Sequence, residues 1–285
     1  MTKHTRPPVA ASAKHARAAG PVVEALKLVT HRTQSRFGWQ PDLPDHRDQV
    51  YSAPPPPAAG LPNSVDLRSA CPPVYDQGDL GSCTANAIAA ALEFDRKKQK
   101  LPDFVPSRLF IYYNERVMEG TVDSDSGAQI RDGIKSVAKL GAPPETEWPY
   151  VNIETTFSQQ PPAAAYADAK KDRALRYQRV VRTLQQMQGC LASGYGFVFG
   201  FTVYQSFMTP QVAQTGVMPM PGPTENKVGG HAVMAVGYDT PSRMMIVRNS
   251  WGTGWGKAGY FMMPFEFITS PNCSDFWTIK SVGPN

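Results

Sequence analysis

Long apolar runs, cysteine and histidine are all scarce in this chain, and each shortage excludes something. No apolar stretch in the 285 residues approaches the length of about 18 that a membrane-spanning helix needs. The strongest candidate, around Phe197 to Val203, is short and broken by glycine and threonine. The first thirty residues mix Lys3, Arg6, Lys14 and Arg17 with prolines and alanines and build no continuous apolar segment. That argues against a Sec-type signal peptide and points to cytoplasmic retention or non-classical export, with a secreted or periplasmic setting still open. Four cysteines, Cys71, Cys83, Cys190 and Cys273, are too few for a disulfide scaffold, and no C-x-x-C pair suggests structural zinc. If one thiol is a nucleophile, at most one intramolecular bridge remains, and Cys71 with Cys273 is the expected pair. Of five histidines, His4, His15, His31 and His46 crowd the first 46 residues, leaving His231 alone in the body.

What is present supports a core: 41% hydrophobic and 10% aromatic residues suffice for one large domain or two of ordinary size. The net charge of +5 is unevenly placed, because residues 1–36 carry seven Lys and Arg against Glu24 and leave the rest nearly neutral. A nucleic-acid or anionic-membrane role for that arm is the lesser reading; a solvated tail, or a strap over its own body, is preferred. A short amphipathic helix is expected across Val22, Val23, Leu26 and Val29. Phe37 to Ser52, "FGWQPDLPDHRDQVYS", then packs aromatic, proline and acidic residues together, and "APPPPAAGLP" follows as a stiff spacer. The predicted organisation is an extension over 1–60 and a main domain over 61–285, helical from about 75 to 180 and strand-rich from about 181 to 285.

Ser82 to Lys98 reads as a helix with Ser82 at the N-cap and Ala85, Ile88, Ala89 and Leu92 on one face. Further helical patterns run through "SRLFIYYNERV" and "GAQIRDGIKSVAKLG", the latter closed by Gly141. After residue 181, "GFVFGFTVY", "HAVMAVGYD", "MMIVRNS", "GYFMM" and "DFWTIKSV" read as strands. Helices first and antiparallel strands second predict an α+β architecture of two subdomains with a cleft between them.

Cys83 sits in the first turn of its predicted helix, where unpaired backbone N–H groups and the helix dipole favour a thiolate. A nucleophilic thiolate needs an imidazole, and His231 opens the strand "HAVMAVGYD" after the flexible "NKVGG". A strand histidine taken alone is more often structural, but Asn249, ending the next strand, supplies the acceptor that would orient it. Trp251 is large enough to cover that hydrogen bond. Gln77, six residues before Cys83, can loop back across Gly78 and Gly81. Its amide and the Cys83 backbone N–H would then form an oxyanion hole, a donor of that kind contributing about 3 kcal/mol in the transition state.

Together "QGDLGSC", "NKVGGHAVMAVGY" and "NSWGTGWGKAGYF" resemble the papain-like cysteine proteases, most of all their bacterial branch, over about Ser64 to Val282. His231 and Asn249 follow Cys83 by 148 and 166 residues, close to the roughly 130–150 expected there. The resemblance implies a helical left subdomain and an antiparallel, β-barrel-like right subdomain. It also implies that Ser126 and Gly127 offer backbone to an extended substrate, and that Ala232 and Phe199 line an apolar pocket for the residue two before the scissile bond. The implied protein is a monomeric endopeptidase acting on peptides or proteins, with no metal or cofactor. Departures are visible. Leu80 stands where most members carry a cysteine bridged to the cleft wall, Thr84 replaces an aromatic, and Gly230 precedes the histidine where papain has aspartate. The extension is shorter than the usual inhibitory propeptide and lacks its long helical motif. Two alternatives use the same cleft: acyl transfer to an amine, and a latent binding protein whose cleft is filled by its own arm.

Overall fold

The computed structural model describes Met1 and residues 37–56, 60–153 and 155–284, so the basic arm and its expected helix lie outside the described residues. The extension contributes strands β1 (Trp39–Gln40) and β2 (Val50–Tyr51), and β3 (Ser64–Asp66) follows the spacer. Then come α1 (Cys83–Lys98), α2 (Arg108–Glu119), β4 (Ala128–Gln129), α3 (Ile130–Leu140) and α4 (Ala163–Ala169). The remainder is β5 (Arg173–Val180), α5 (Leu184–Ala192), β6 (Phe197–Tyr204), α6 (Pro210–Thr215), β7 (Lys227–Asp239), β8 (Met244–Arg248), β9 (Tyr260–Pro264), α7 (Phe265–Ile268) and β10 (Cys273–Gly283).

α1 carries the nucleophile and is buried on nearly every side, from Cys83 through Arg96. Five alanines make this possible, because Ala85, Ala87, Ala89, Ala90 and Ala91 let β7 and β10 approach the helix closely. Arg96, Lys97 and Lys98 close its last turn, where the carbonyl end of the helix favours positive charge. Ser82 occupies the N-cap position but does not cap, since its hydroxyl pairs with the Tyr150 hydroxyl at 2.6 Å. α2 starts on Ser107, whose side chain accepts the Phe110 N–H, and ends at Gly120 with φ 70°. Ile88, Leu92, Ile111, Ile130, Ile134 and Val137 form the helical half of the core.

The main sheet runs β2-β5-β10-β6-β7-β8-β9, with β3 paired to β7. Its path has two ends, β2 and β9, so the barrel-like half is an open sheet and not a closed barrel. β5 lies before residue 181 yet pairs antiparallel with β10, so the strand-rich half recruits chain from the helical one. Alternation along β6 sends Phe197, Phe199 and Phe201 into an aromatic core with Phe207, Phe261 and Phe276. Phe199, ring-stacked on Phe276 at 5.4 Å, therefore packs in the aromatic core and not toward the cleft; its neighbour Gly200 faces the cleft instead. The expected Cys71–Cys273 bridge is also absent. All four cysteines are free and buried, Cys71 in the core around α1 and Cys273 in the aromatic core. Among the described residues no helix is long and apolar enough to cross a membrane.

Candidate active site

The register of β6 on β7 pairs Gly200 with Ala232 and Phe201 with His231, and β8 runs alongside β7 until Arg248, so Asn249 emerges beside His231. His231 Nε2 donates to Asn249 Oδ1 at 2.8 Å, and the Ser250 N–H also donates to that oxygen at 2.8 Å. Trp251 stacks on the imidazole at 4.8 Å and 27°, and Phe201 meets it edge-on at 5.8 Å. This fixes the ring and its tautomer, leaving Nδ1 as the basic nitrogen. Nδ1 has no hydrogen-bond partner among the described residues.

Cys83 Sγ accepts the Ala232 N–H at 3.4 Å, with the N–H groups of Gly38 and Thr84 also directed at it. Gln77 is held at both ends. Its backbone N–H donates to Ser250 O at 2.9 Å, its Oε1 accepts from Ser250 Oγ at 2.6 Å, and the Tyr150 hydroxyl donates to its carbonyl at 2.8 Å. With Oε1 occupied, the amide is turned so that Nε2 is the free-facing donor end; one of its protons goes to Leu80 O at 2.9 Å. Gly78, with φ +58°, supplies the left-handed turn of this loop.

The loop is tied to the cleft wall by polar contacts. Gly81 N–H donates to both Asp125 carboxylate oxygens at 3.0 and 3.1 Å, Tyr112 donates its hydroxyl to the same carboxylate, and Gly127 N–H donates to Tyr112 Oη at 3.2 Å. Beside Leu80, this clip stands where most relatives were expected to carry a sulfur bridge. Thr84 Oγ1 donates to Glu115 Oε1 at 2.6 Å; burial raises that carboxyl well above its usual range, so it sits there protonated.

Over the nucleophile lies Phe37-Gly38-Trp39-Gln40 from the extension. β1 pairs parallel with β4, Ala128 N–H donates to Gly38 O at 2.7 Å, and Gln40 Nε2 donates to Ser126 O at 2.8 Å. The approach is backbone on backbone: a Cβ on Gly38 would stand 1.6 Å from Gly81 O, and one on Gly127 1.9 Å from Gly38 O. Phe37 lies on Gly229 with its ring 6.2 Å from His231, and Gly230 would clash with Trp39 if it bore any side chain. The paired glycines before His231, one of which departs from papain's aspartate, thus make room for the strap. Sequence reading missed this, although two bare positions beside a histidine were its signal.

Exclusion of water sets the protonation state. Burial pushes the Cys83 thiol up to about 12, more than the surrounding N–H groups pull it down. Burial likewise pushes His231 down to about 4, against the raising effect of the Asn249 hydrogen bond. The thiol and imidazole are therefore both neutral here. In place of the expected thiolate the site holds a neutral thiol, because burial outweighs the pull of the Ala232, Gly38 and Thr84 N–H groups.

Beyond Gln40 the extension is held by charge. Asp42 Oδ2 accepts from Trp277 Nε1 at 3.0 Å, Arg131 N–H donates to Asp42 Oδ1 at 3.0 Å, and Asp48 pairs with Arg131 at 2.6 Å and with Arg179 at 3.2 Å. Arg179 also pairs with Asp275 at 3.0 Å, and Asp275 Oδ2 accepts the Asp42 N–H at 2.9 Å. Burial first, and then the neighbouring Asp275 charge, push Asp42 up to about 6. His46 is exposed on the same segment. Among the described residues no group of three or more His, Cys, Asp or Glu could hold a metal ion.

Comparison with known proteins agrees with this geometry. The model of the "Papain family cysteine protease" family matches residues 61–270. A "peptidase C1-like protein L477" of Acanthamoeba polyphaga mimivirus is 46% identical over 217 residues, 73% of this chain and 69% of the viral protein. Cathepsin K of Gallus gallus is 27% identical over 214 residues, 71% of this chain and 58% of its own length. Among solved structures, xylellain, a cysteine protease from Xylella fastidiosa, superimposes with a TM-score of 0.81 at 45% identity, covering 87% of this chain and 97% of xylellain. The procathepsin L 3 of Tenebrio molitor larval midgut, 17% identical with a TM-score of 0.65, covers 89% of this chain and 78% of its own and shares the fold. With its family match spanning most of the sequence on a papain fold, the chain belongs to the papain family of cysteine proteases and is a thiol-dependent peptidase.

Proposed function

We propose that the chain is an endopeptidase working through Cys83, His231 and Asn249, kept latent by residues 37–51 of its own extension. The observation that carries the latent half is the contact at sulfur: Gly38 turns an N–H toward Sγ, and its carbonyl is engaged by Ala128 N–H. A thiol needs a carbonyl carbon to attack, so the strap fills the cleft without presenting a scissile bond. On this reading residues 61–285 form the peptidase domain and residues 1–60 its restraint, in a monomer.

With the strap withdrawn, water reaches the site and the cost of charge separation falls. The Cys83 proton then passes to His231 Nδ1, the nitrogen that the Asn249 bond leaves basic. The thiolate attacks the peptide carbonyl, and the oxyanion is held by Gln77 Nε2 with the Cys83 backbone N–H, an interaction worth about 3 kcal/mol at the transition state. His231 returns the proton to the leaving amine, and water drawn in behind it hydrolyses the acyl-thioester. Ser126 and Gly127, whose backbone now faces β1, become available to an extended substrate strand.

The test compares the full chain with one lacking residues 1–50, measuring peptide hydrolysis and Cys83 alkylation together. Restraint predicts that both rise about tenfold or more, since only the open fraction reacts. Unchanged rates in a folded truncated protein sink the latent reading. Hydrolysis that stays absent while alkylation rises sinks the peptidase mechanism.

A further inference from the structure

Trp39 lies in a recess paved with glycine. A Cβ on Gly200 would stand 1.9 Å from Trp39 Cε2, and one on Gly230 2.8 Å from its Cε3, so the indole lies flat on bare backbone. Gly200 pairs with Ala232, whose N–H bonds the Cys83 sulfur, so the recess adjoins the nucleophile. At its far edge Trp39 Nε1 donates to Asp275 Oδ2 at 3.1 Å. Asp275 is 2% exposed and held at φ +59°, a conformation that costs a residue with a side chain. Its Oδ1 is bound by Arg179 of the body at 3.0 Å. The hydrogen bonds to its Oδ2 among the described residues both come from the strap, from Trp39 Nε1 and Asp42 N–H. When the strap leaves, that oxygen exchanges both protein donors for water, and a side chain that then covers it without a donor leaves it unpaired at a cost.

Building on the peptidase reading, we propose that Trp39 stands in for a substrate side chain and that Asp275 makes its recess select tryptophan over phenylalanine or leucine. Gly38 meets the sulfur and Trp39 is its neighbour, so the recess receives the residue adjoining the one whose carbonyl is attacked, two before the scissile bond. A tryptophan there covers Gly200 and Gly230 and returns a ring N–H to Asp275. Phenylalanine or leucine fills the apolar part and leaves Oδ2 unpaired. A cationic side chain meets a carboxylate already neutralised by Arg179. Asp275 is thus a specificity-determining residue, and the apolar pocket expected from Ala232 and Phe199 becomes a pocket with a polar end.

The test uses the full chain and three fluorogenic peptides differing only in tryptophan, phenylalanine or leucine at that position. Release of the strap multiplies kcat/KM equally for all three, so their ratio reports the recess alone. The wild type is expected to prefer tryptophan to phenylalanine about tenfold, as for a hydrogen bond to a charged group. Asp275→Leu should bring the ratio to about one, and Asp275→Asn, which keeps an acceptor oxygen, should retain part of it. A thermal melt of each variant checks folding, and a partly unfolded sample lowers all three rates alike. The same peptides titrated against full-length Cys83→Ala give a Kd ratio that needs no turnover. An Asp275-dependent tryptophan preference in binding without turnover in the wild type keeps the recess and sinks the peptidase reading. Turnover or binding with a ratio unmoved by Asp275→Leu, or with phenylalanine preferred, overturns the recess.

Discussion

The extension grips the body in two unlike ways. Phe37 to Gln40 is a seat: glycine backbone pressed on glycine backbone, two aromatic rings on bare strand, and the sulfur and imidazole kept dry beneath. Asp42 to Tyr51 is a latch: carboxylates of the strap against Arg131, Arg179 and Trp277, ending in β2 on the edge of the sheet. The seat depends on shape and has no room for one added methyl group, whereas the latch depends on charge and answers to pH. Steric fit silences the chemistry and electrostatics hold the fit in place.

The sharpest way to break the seat is Gly38→Ala in the full chain, because the new Cβ would lie 1.6 Å from Gly81 O and neither backbone can yield. Turnover and Cys83 alkylation should rise about 100-fold, toward the level of the strap-free enzyme, with the body's melting temperature nearly unchanged. Breaking the latch with Asp48→Ala removes partners from Arg131 and Arg179 but leaves the seat intact. The usual 3–5 kcal/mol for splitting a buried pair falls here to about 2 kcal/mol, since Arg179 keeps Asp275 and Arg131 keeps the Leu43 carbonyl, and an increase of about thirtyfold is expected. Trp39→Phe removes only the indole N–H from Asp275 while keeping a ring on Gly200, so turnover on a leucine-bearing peptide should rise about tenfold or less.

The smallest effect separates seat from latch by pH. His231 titrates near 4 under the strap, and with the strap off it takes its proton from Cys83, so the pair carries one proton in both states and the seat is nearly indifferent to pH between about 4 and 6.5. Asp42 does respond: held near 6 against an ordinary 3.8, it stabilises the strapped state at acid pH, and that contribution is lost as pH rises through 6. In the wild type the Asp42 contribution therefore stands alone, and the alkylation rate of Cys83 should climb as pH rises from about 4 through 6. Asp42→Asn removes it, so the rate should then vary little over that range. A rate in that variant that still climbs with pH would show that a group other than Asp42 carries the latch's response.

Much of this molecule was legible in its sequence. The helix of Cys83, the strand of His231 and the strand ending before Asn249 follow from periodicity, and Gln77, Cys83, His231, Asn249 and Trp251 do lie together. Even "FGW" stood out as a segment with somewhere to go. What could not be read were partners chosen only in three dimensions, such as Asp125 for Gly81, Ser250 for the Gln77 amide and Asp275 for Trp39, each separated by tens to hundreds of residues. Phe199 was misplaced because alternation along a strand fixes which residues share a face but not which face meets the cleft. The neutral Cys83 has a related reason: a helix N-terminus favours the thiolate, but local sequence does not report how deeply the folded chain buries the sulfur, and burial is the larger effect.

The Asp125–Tyr112 clip carries a further consequence for where such an enzyme can operate. A cleft framed by a disulfide faces a conflict, since the reducing conditions that keep a catalytic thiol alive also threaten its frame. Here the nucleophile loop is fastened to the wall by a carboxylate, a phenol and two backbone amides, none of which exchanges electrons. Strong reductants such as dithiothreitol or glutathione can therefore keep Cys83 as a free thiol without loosening the geometry around it, so the thiol answers to redox conditions while this fastening does not.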